Sequence, residues 1–516
     1  MIQRLAQPRI ILAVLVLAGL VLRIAILLSP LGALEADEAV VGLMARHILE
    51  GDRPLFYWGQ AYLGTLEAFT AAAVFAVVGA STLALKAVPT AYSLLYLLLS
   101  YLVARRLFGT GPALLTAGYL ALPPLFLALW STKPRGGYIE FLTLGEAALL
   151  AALWTTRASR LLPGALLTLA LAGLSVWTHP LGVVYGLLAM AYVATRRHRD
   201  IPLWAALAVA LAVLAGLGLF LRAYLANRLP DAPGPLEGLA LAEGPANLAR
   251  LLQIGGAVLV GLAQGSTSRE LFEADWPSRP GSSHLVTTLL GLLAAWLLLR
   301  YGRSVVALFR PDASESASGP ALLVGVLVLT PLVVAFTSFG QRLLIIEPRY
   351  ALPLYSAVPL VARELWRLRR APAALAAACI AVLAINAWSW LSADPRLAFP
   401  ATIGPTTPQT RAALLAALEA ENLRYIYTNY WLAYPLAFES GEWVIPSVIS
   451  DGFNRYIPYA YWVSVADRPA WVFVADGAEE RAFQAKLAQA RASWHTLRVS
   501  IYRVYYDVDP VQPLRP

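Results

Sequence analysis

Long runs of Leu, Ala and Val recur from the N-terminus to about residue 391, and this repetition limits the possible folds more than any other feature of the chain. A hydrocarbon core about 30 Å thick is crossed by roughly 20 apolar residues in a helix. Many of the runs reach that length, so the chain reads as a polytopic α-helical membrane protein. Composition agrees: 59% of the 516 residues are hydrophobic and only 14% are charged, where a soluble domain carries about a quarter.

The net charge of +9 does not point to nucleic acid, because of where the charge lies. Arg105-Arg106, Arg157 with Arg160, Arg196-Arg197-His198-Arg199, Arg300 to Arg310 and Arg367 to Arg370 each end an apolar run. That is the pattern of cytoplasmic loops. It orders the spans as 9–29, 83–104, 111–130, 138–156, 161–178, 181–195, 201–221, 285–300, 320–339, 350–365 and 372–391, about eleven crossings. The N-terminus then lies in the cytoplasm and the C-terminal part outside. Residues 1–29 read as an uncleaved first span, since no small-residue cleavage site follows the long apolar stretch. The stretches 67–80 and 251–264 are short; the first reads as juxtamembrane, the second as re-entrant or interfacial. Cys379, the only cysteine, lies within a span, so there is neither a disulfide framework nor a Cys-based zinc site.

From residue 392 the composition becomes that of a soluble domain. Helical patterns near 409–421, 430–438 and 479–492 alternate with strand patterns near 425–427, 443–445, 471–474 and 497–508. Such alternation predicts a small, partly parallel α/β domain.

The candidate chemistry gathers in the outer loops. Glu35-Ala36-Asp37-Glu38 follows the first span, and Glu67 opens an otherwise apolar stretch. Apolar residues at Val40, Leu43, Met44 and Ile48 predict an amphipathic helix over 39–49 lying in the interface. Asp37 and Glu38 are either a general base or acids placed at that helix's positive end; Glu67 is either functional or a cap. Arg349 follows Pro348 at a predicted helix start, where a cation opposes the dipole and calls for an anion. Glu347 or a substrate phosphate would serve. Lys133 and Arg135 stand outside against the positive-inside tendency; they either join Arg349 on a phosphate or snorkel to lipid headgroups. His179, in a turn before Pro180, is a structural residue or a phosphate or metal ligand. Trp431, Tyr434 and Phe438 share a helix face, which predicts core packing over sugar stacking. There is no P-loop or dinucleotide fingerprint.

Three segments together resemble the GT-C superfamily of membrane glycosyltransferases, particularly the protein O-mannosyltransferase and lipid A aminoarabinose transferase branch. They are Glu35-Ala36-Asp37-Glu38-Ala39 running into Ala45-Arg46-His47-Ile48-Leu49-Glu50-Gly51, then Tyr57-Trp58-Gly59-Gln60-Ala61-Tyr62-Leu63-Gly64-Thr65-Leu66-Glu67, then Arg349-Tyr350-Ala351-Leu352-Pro353-Leu354. Their order and spacing carry the likeness. The Pro-Pro usual before the Tyr-Trp is absent. The resemblance implies a polytopic GT-C bundle and transfer of a monosaccharide from a polyprenyl-phosphate carrier to a glycan, lipid or protein acceptor at the extracytoplasmic face. Asp37 would be the base, with Glu38 beside it. Glu67 would orient the acceptor or a divalent metal; no other cofactor is implied. Arg349 and Tyr350, with Lys133, Arg135 and His179, would hold the lipid phosphate. The competing expectations are a transporter or flippase for a lipid-linked glycan, which calls for charges in mid-span, and a scaffold whose outer domain binds a partner.

Overall fold

The computed structural model describes residues 2–159, 161–197, 200–201, 211, 216–226, 241–262, 280–310, 313–337, 348–393, 407–450, 453–511 and 514. Among these, seven helices are long and apolar enough to cross a membrane: Gln7–Leu27, Thr82–Phe108, Tyr138–Thr155, Leu161–Thr178, Leu285–Leu308, Glu315–Ala335 and Pro372–Leu391. They match seven of the expected crossings, and the protein is a multi-pass membrane protein.

The other expected crossings look different. The run 111–130 is divided into Thr110–Ala121 and Leu125–Trp130, because Pro123-Pro124 cannot continue a helix. The run 181–195 is the 16-residue helix Gly182–Arg197. The run 350–365 is a 3-10 helix, Arg349–Ala357, followed by an α-helix, Val358–Leu365. Most of 201–221 lies outside the described residues, and only its end enters the helix Gly216–Ala226. The segment 251–264 holds a π turn, Leu251–Gly255, and one helical turn, Gly256–Leu259.

The elements around the site are α1 (Ile2–Leu27), α2 (Ala36–Glu50), the hairpin β1 (Phe56–Tyr57) and β2 (Gln60–Gly64), α3 (Leu66–Val78), α4 (Thr82–Phe108), α5 (Thr110–Ala121), α6 (Leu125–Trp130), α7 (Tyr138–Thr155), α8 (Leu161–Thr178) and α9 (Gly182–Arg197). The Ser81 hydroxyl accepts the Ala84 N–H and starts α4, and Arg105 and Arg106 sit in its last turn, favourable for the dipole. The bundle core centres on α7, where Phe141, Leu142 and Leu149 are fully buried against Leu97, Tyr185, Leu323 and Leu360. Gly145 makes this possible, since a Cβ there would lie 2.3 Å from the Tyr185 ring.

α2 forms, but it does not lie half-exposed in an interface. Val40, Leu43 and Met44 are buried, and so are Val41 and Ala45 on the remaining faces. The helix Tyr430–Glu439 of the C-terminal domain covers one side and α3 another. Gly42 permits that contact, because a Cβ there would lie 2.5 Å from the Phe438 ring.

The C-terminal domain is a five-stranded sheet in the order β4-β3-β5-β7-β6. β3 (Tyr425–Asn429) pairs in parallel with β4 (Ile445–Ser450) and β5 (Ala470–Val474), whereas β7 (Tyr502–Asp509) pairs antiparallel with β5 and with β6 (Ser493–Val499). The expected partly parallel sheet is present, its last expected strand region, 497–508, falls on the hairpin of β6 and β7, and an unforeseen helix, Ile457–Val465, is added. Leu34, Val40, Leu43, Met44 and Phe75 belong to one continuous apolar cluster with Tyr427, Tyr434, Phe438 and Trp471. The first loop and the C-terminal domain therefore share a core, and that shared core positions the site.

Candidate active site

The first turn of α2 carries three carboxylates at the positive end of a helix, and each takes a different set of partners. Glu38 Oε2 accepts the Glu35 N–H at 3.3 Å and the Lys86 ammonium of α4 at 2.5 Å. Glu38 thus points into an ion pair sealed within the fold. Glu35 Oε1 faces Arg135 Nε at 2.9 Å and Lys133 Nζ at 3.5 Å.

Asp37 is the most heavily partnered of the three. Its Oδ2 accepts from Arg135 Nη2 at 3.0 Å, and its Oδ1 accepts from Arg455 Nη2 at 3.0 Å and from the Tyr430 hydroxyl. The Tyr57 hydroxyl donates to the Asp37 carbonyl at 2.8 Å and holds the turn itself. Burial acts to raise the Asp37 pKa, but Arg455, Arg135 and the Tyr430 hydrogen bond outweigh it and hold the carboxyl well below the usual carboxylate range. Asp37 is an ionised group at any physiological pH.

Glu67 stands behind this array. Its Oε2 accepts the N–H groups of Gly136 and Gly137 at 2.8 and 2.9 Å. Both glycines have positive φ, 90° and 81°, where a side chain is strained. The turn that carries Lys133 and Arg135 is therefore fastened to the first loop through Glu35, Asp37 and Glu67.

A second group lies beside the Trp130 ring. The Arg349 guanidinium sits 5.9 Å from Trp130, 5.6 Å from Tyr138 and 5.2 Å from Tyr350, measured to ring centroids. Trp130 also lies 5.3 Å from the Arg135 guanidinium, so one indole contacts both cations. His179 stacks on Phe141 at 4.8 Å and beside Tyr138 at 4.7 Å, and its Nδ1 accepts the Leu181 N–H at 3.1 Å. Burial and the Arg349 charge bring its pKa down to about 3, so it is neutral with the proton on Nε2. Tyr62 on β2 is within electrostatic reach of both groups, of Tyr350 and Arg349 and of Arg455 and Asp37.

The structure thus brings Asp37, Lys133 and Arg135 together, places Arg349, Tyr350 and His179 next to them, and sets Glu67 behind the connecting turn. Glu38 is directed elsewhere, to Lys86. Glu347 lies outside the described residues. Arg455, Tyr430, Trp130 and Lys86 went unforeseen. Tyr57 and Tyr62 were within a quoted motif without a role. Among the described residues, no group of three or more His, Cys, Asp or Glu side chains is arranged to hold a metal.

No family model matches the chain, and no curated protein matches it. Solved structures do. ArnT from Cupriavidus metallidurans bound to undecaprenyl phosphate is similar over 97% of this chain and 98% of its own, with a TM-score of 0.55 at 14% identity. The same protein in its apo state is similar over 91% and 93%, with a TM-score of 0.50 at 14% identity. The oligosaccharyltransferase of Archaeoglobus fulgidus, in complex with Zn and sulfate, is similar over 92% of this chain and 69% of its own, with a TM-score of 0.50 at 14% identity. The chain therefore shares the fold of ArnT over nearly its whole length.

Proposed function

We propose that the protein is an integral membrane glycosyltransferase that moves a monosaccharide from a polyprenyl-phosphate carrier to an acceptor at the extracytoplasmic face. The observation that carries this is the pairing of an ionised carboxylate, Asp37, held by Arg135, with a separate cation, Arg349, the two guanidinium groups both lying against Trp130. The likeness of fold to ArnT, solved with undecaprenyl phosphate, supports the lipid carrier. The N-terminus is placed in the cytoplasm and the C-terminal domain outside, following the arginine clusters.

The division of labour follows from the chemistry. A polyprenyl phosphate is a good leaving group and needs fixed donors where charge develops on its oxygen. Arg349 supplies the charge, and the neutral His179 Nε2–H and the Tyr350 hydroxyl supply further donors. Lys133 and Arg135, tied to Glu35 and Asp37, keep the region between donor and acceptor positive. The acceptor's oxygen or nitrogen attacks the anomeric carbon as the bond to the phosphate oxygen breaks; the leaving electron pair stays on the phosphate and the acceptor's proton passes to Asp37. A single displacement of this kind inverts the anomeric centre. Glu67 holds the turn in place rather than touching either substrate, and Glu38 anchors α2.

The test is transfer of radiolabelled sugar from a panel of polyprenyl-phosphate monosaccharides in reconstituted membranes, with acceptor-rich membrane extract. Wild type should label an acceptor with inversion and Asp37→Asn should not. A retained configuration sinks the single displacement. Absence of transfer from every donor by folded, lipid-binding protein sinks the transferase.

A further inference from the structure

Arg455 carries a donor nitrogen, Nη1, that no described residue engages. Its Nε donates to the Tyr430 hydroxyl at 2.8 Å and its Nη2 to Asp37 Oδ1 at 3.0 Å, while its Nη1 is buried with no hydrogen-bond partner among the described residues. The residue is only 8% exposed. A buried guanidinium N–H left without a hydrogen bond is costly. The Phe453, Tyr57 and Tyr430 rings lie 4.6, 5.3 and 5.4 Å from the guanidinium carbon and fix its plane. Because Nη1 shares its carbon with Nη2, it lies next to the Nη2 contact with the Asp37 carboxylate.

Asp37 has a matching vacancy. A carboxylate offers about four lone-pair sites. Tyr430 and Arg455 use those of Oδ1, and Arg135 uses one of Oδ2. Among the described residues, one site on Oδ2 remains to accept a proton.

We propose that Arg455, supplied by the C-terminal domain, positions an oxygen nucleophile of the acceptor against Asp37. This rests on the transferase assignment. A hydroxyl is both acceptor and donor: its oxygen takes the N–H of Arg455 Nη1 while its own O–H points to the open site on Asp37. As that oxygen bonds to the anomeric carbon, the carbon–oxygen bond to the phosphate breaks and the hydroxyl proton goes to Asp37. An ammonium has no lone pair to offer and is repelled by Arg135, Arg455 and Lys133, so the arrangement selects hydroxyl-bearing acceptors over amines. The C-terminal domain is then part of the acceptor site and takes no part in holding the lipid phosphate.

The experiment uses the full-length protein in liposomes, with Arg455→Gln and Arg455→Lys, and measures KM for donor and acceptor and the pH profile of kcat/KM. Arg455→Gln should weaken acceptor use about ten- to a hundredfold and change donor KM by less than about twofold. Its acidic limb should move up toward the ordinary carboxylate range, since Asp37 has lost a neighbouring cation. Arg455→Lys should keep the acidic limb low and still lose acceptor affinity, because a lysine cannot hold Asp37 and a second oxygen in one plane. Unchanged acceptor KM in either variant, or a loss confined to donor KM, overturns the proposal while transfer by wild type leaves the transferase standing. If Arg455→Gln does not fold, Arg455→Lys decides by its acceptor KM alone. If wild type transfers no sugar to any hydroxyl acceptor, both fall together.

Discussion

Lys86 Nζ of α4 lies 2.5 Å from Glu38 Oε2 of α2, and neither side chain meets solvent. Removing one partner of a buried pair strands the other charge, which costs about 3–5 kcal/mol. Lys86→Met should therefore lower the denaturation midpoint of the detergent-solubilised protein markedly. The double variant Lys86→Met with Glu38→Gln should recover much of that loss. A single variant as stable as wild type would remove this pair as the anchor of α2.

Asp37→Asn should reduce transfer by about 10²–10⁴-fold and leave binding of polyprenyl phosphate within about twofold. In wild type the acidic limb of kcat/KM should lie below the ordinary aspartate value of about 3.9, because Arg455 and Arg135 hold the carboxyl down. The stability tied to this lowered pKa is complete above the unfolded value and is lost as pH falls through the folded one. Rate and midpoint measured from pH 7 downward check both statements.

Arg349→Ala should weaken polyprenyl phosphate binding by about tenfold or more, with Arg349→Lys intermediate, because the lysine keeps the charge and loses the planar contacts with Trp130, Tyr138 and Tyr350. Equilibrium binding of the lipid to an Asp37→Asn background isolates the effect from turnover. Unchanged affinity would move the phosphate elsewhere.

Gly137→Ala should silence transfer without unfolding the bundle. Gly137 has φ of +81°, and a Cβ there would lie 2.5 Å from Thr178 Cγ2. The turn must shift, and Lys133 and Arg135 move with it. Adding Thr178→Ser removes the clashing methyl but not the backbone strain of about 1–2 kcal/mol, so activity should return in part. Full activity of Gly137→Ala alone would show that the turn tolerates displacement.

His47 of α2 and Glu442 form a contact 2.8 Å long between the first loop and the C-terminal domain, with Asp52 at 3.4 Å and the Trp58 and Tyr456 rings around the imidazole. Burial opposes the imidazolium, but Glu442, Glu50 and Asp52 outweigh it, so His47 is held above its usual range. Burial acts to raise Glu442, but its bonds to His47 and Tyr459 and the charge of Arg46 bring it below its usual range. The His47 contribution is full below about pH 6.5 and fades as pH rises through its folded pKa; the Glu442 contribution is full above about pH 4.3 and fades as pH falls through its own. The melting-temperature gap between wild type and His47→Gln should thus be widest between those values and narrow toward alkaline pH. A gap that does not vary with pH would show the contact to be uncharged.

The spans were legible because hydrophobic length is a local property, and the first-loop acids were legible because carboxylates beside a membrane are conspicuous. Glu38 and Asp37 could not be told apart in this way. They are adjacent on one helix, and only the position of Lys86 on α4 and of Arg135 on the turn before α7 gives them separate partners. Arg455 left no trace in the sequence, since its segment reads as ordinary soluble surface and meets Asp37 across 418 residues of chain. The helix pattern of Tyr430–Phe438 correctly suggested core packing for Tyr434 and Phe438, with Trp431 partly buried against them, yet Tyr430, buried in the same cluster, turns its hydroxyl to Asp37. Periodicity reports which face is buried and is silent about which end meets a charge.

The long separation between Asp37 and Arg455 also sets a schedule. A chain is made from its N-terminus, and early segments are inserted and folded before later ones exist. Asp37 enters the membrane surface with the first span, whereas its second guanidinium and its tyrosine arrive only once the C-terminal sheet has folded onto α2. Throughout biogenesis the unfinished protein carries the carboxylate without its full set of partners, and a ribosome that stops short of residue 455 releases a bundle with an incomplete site.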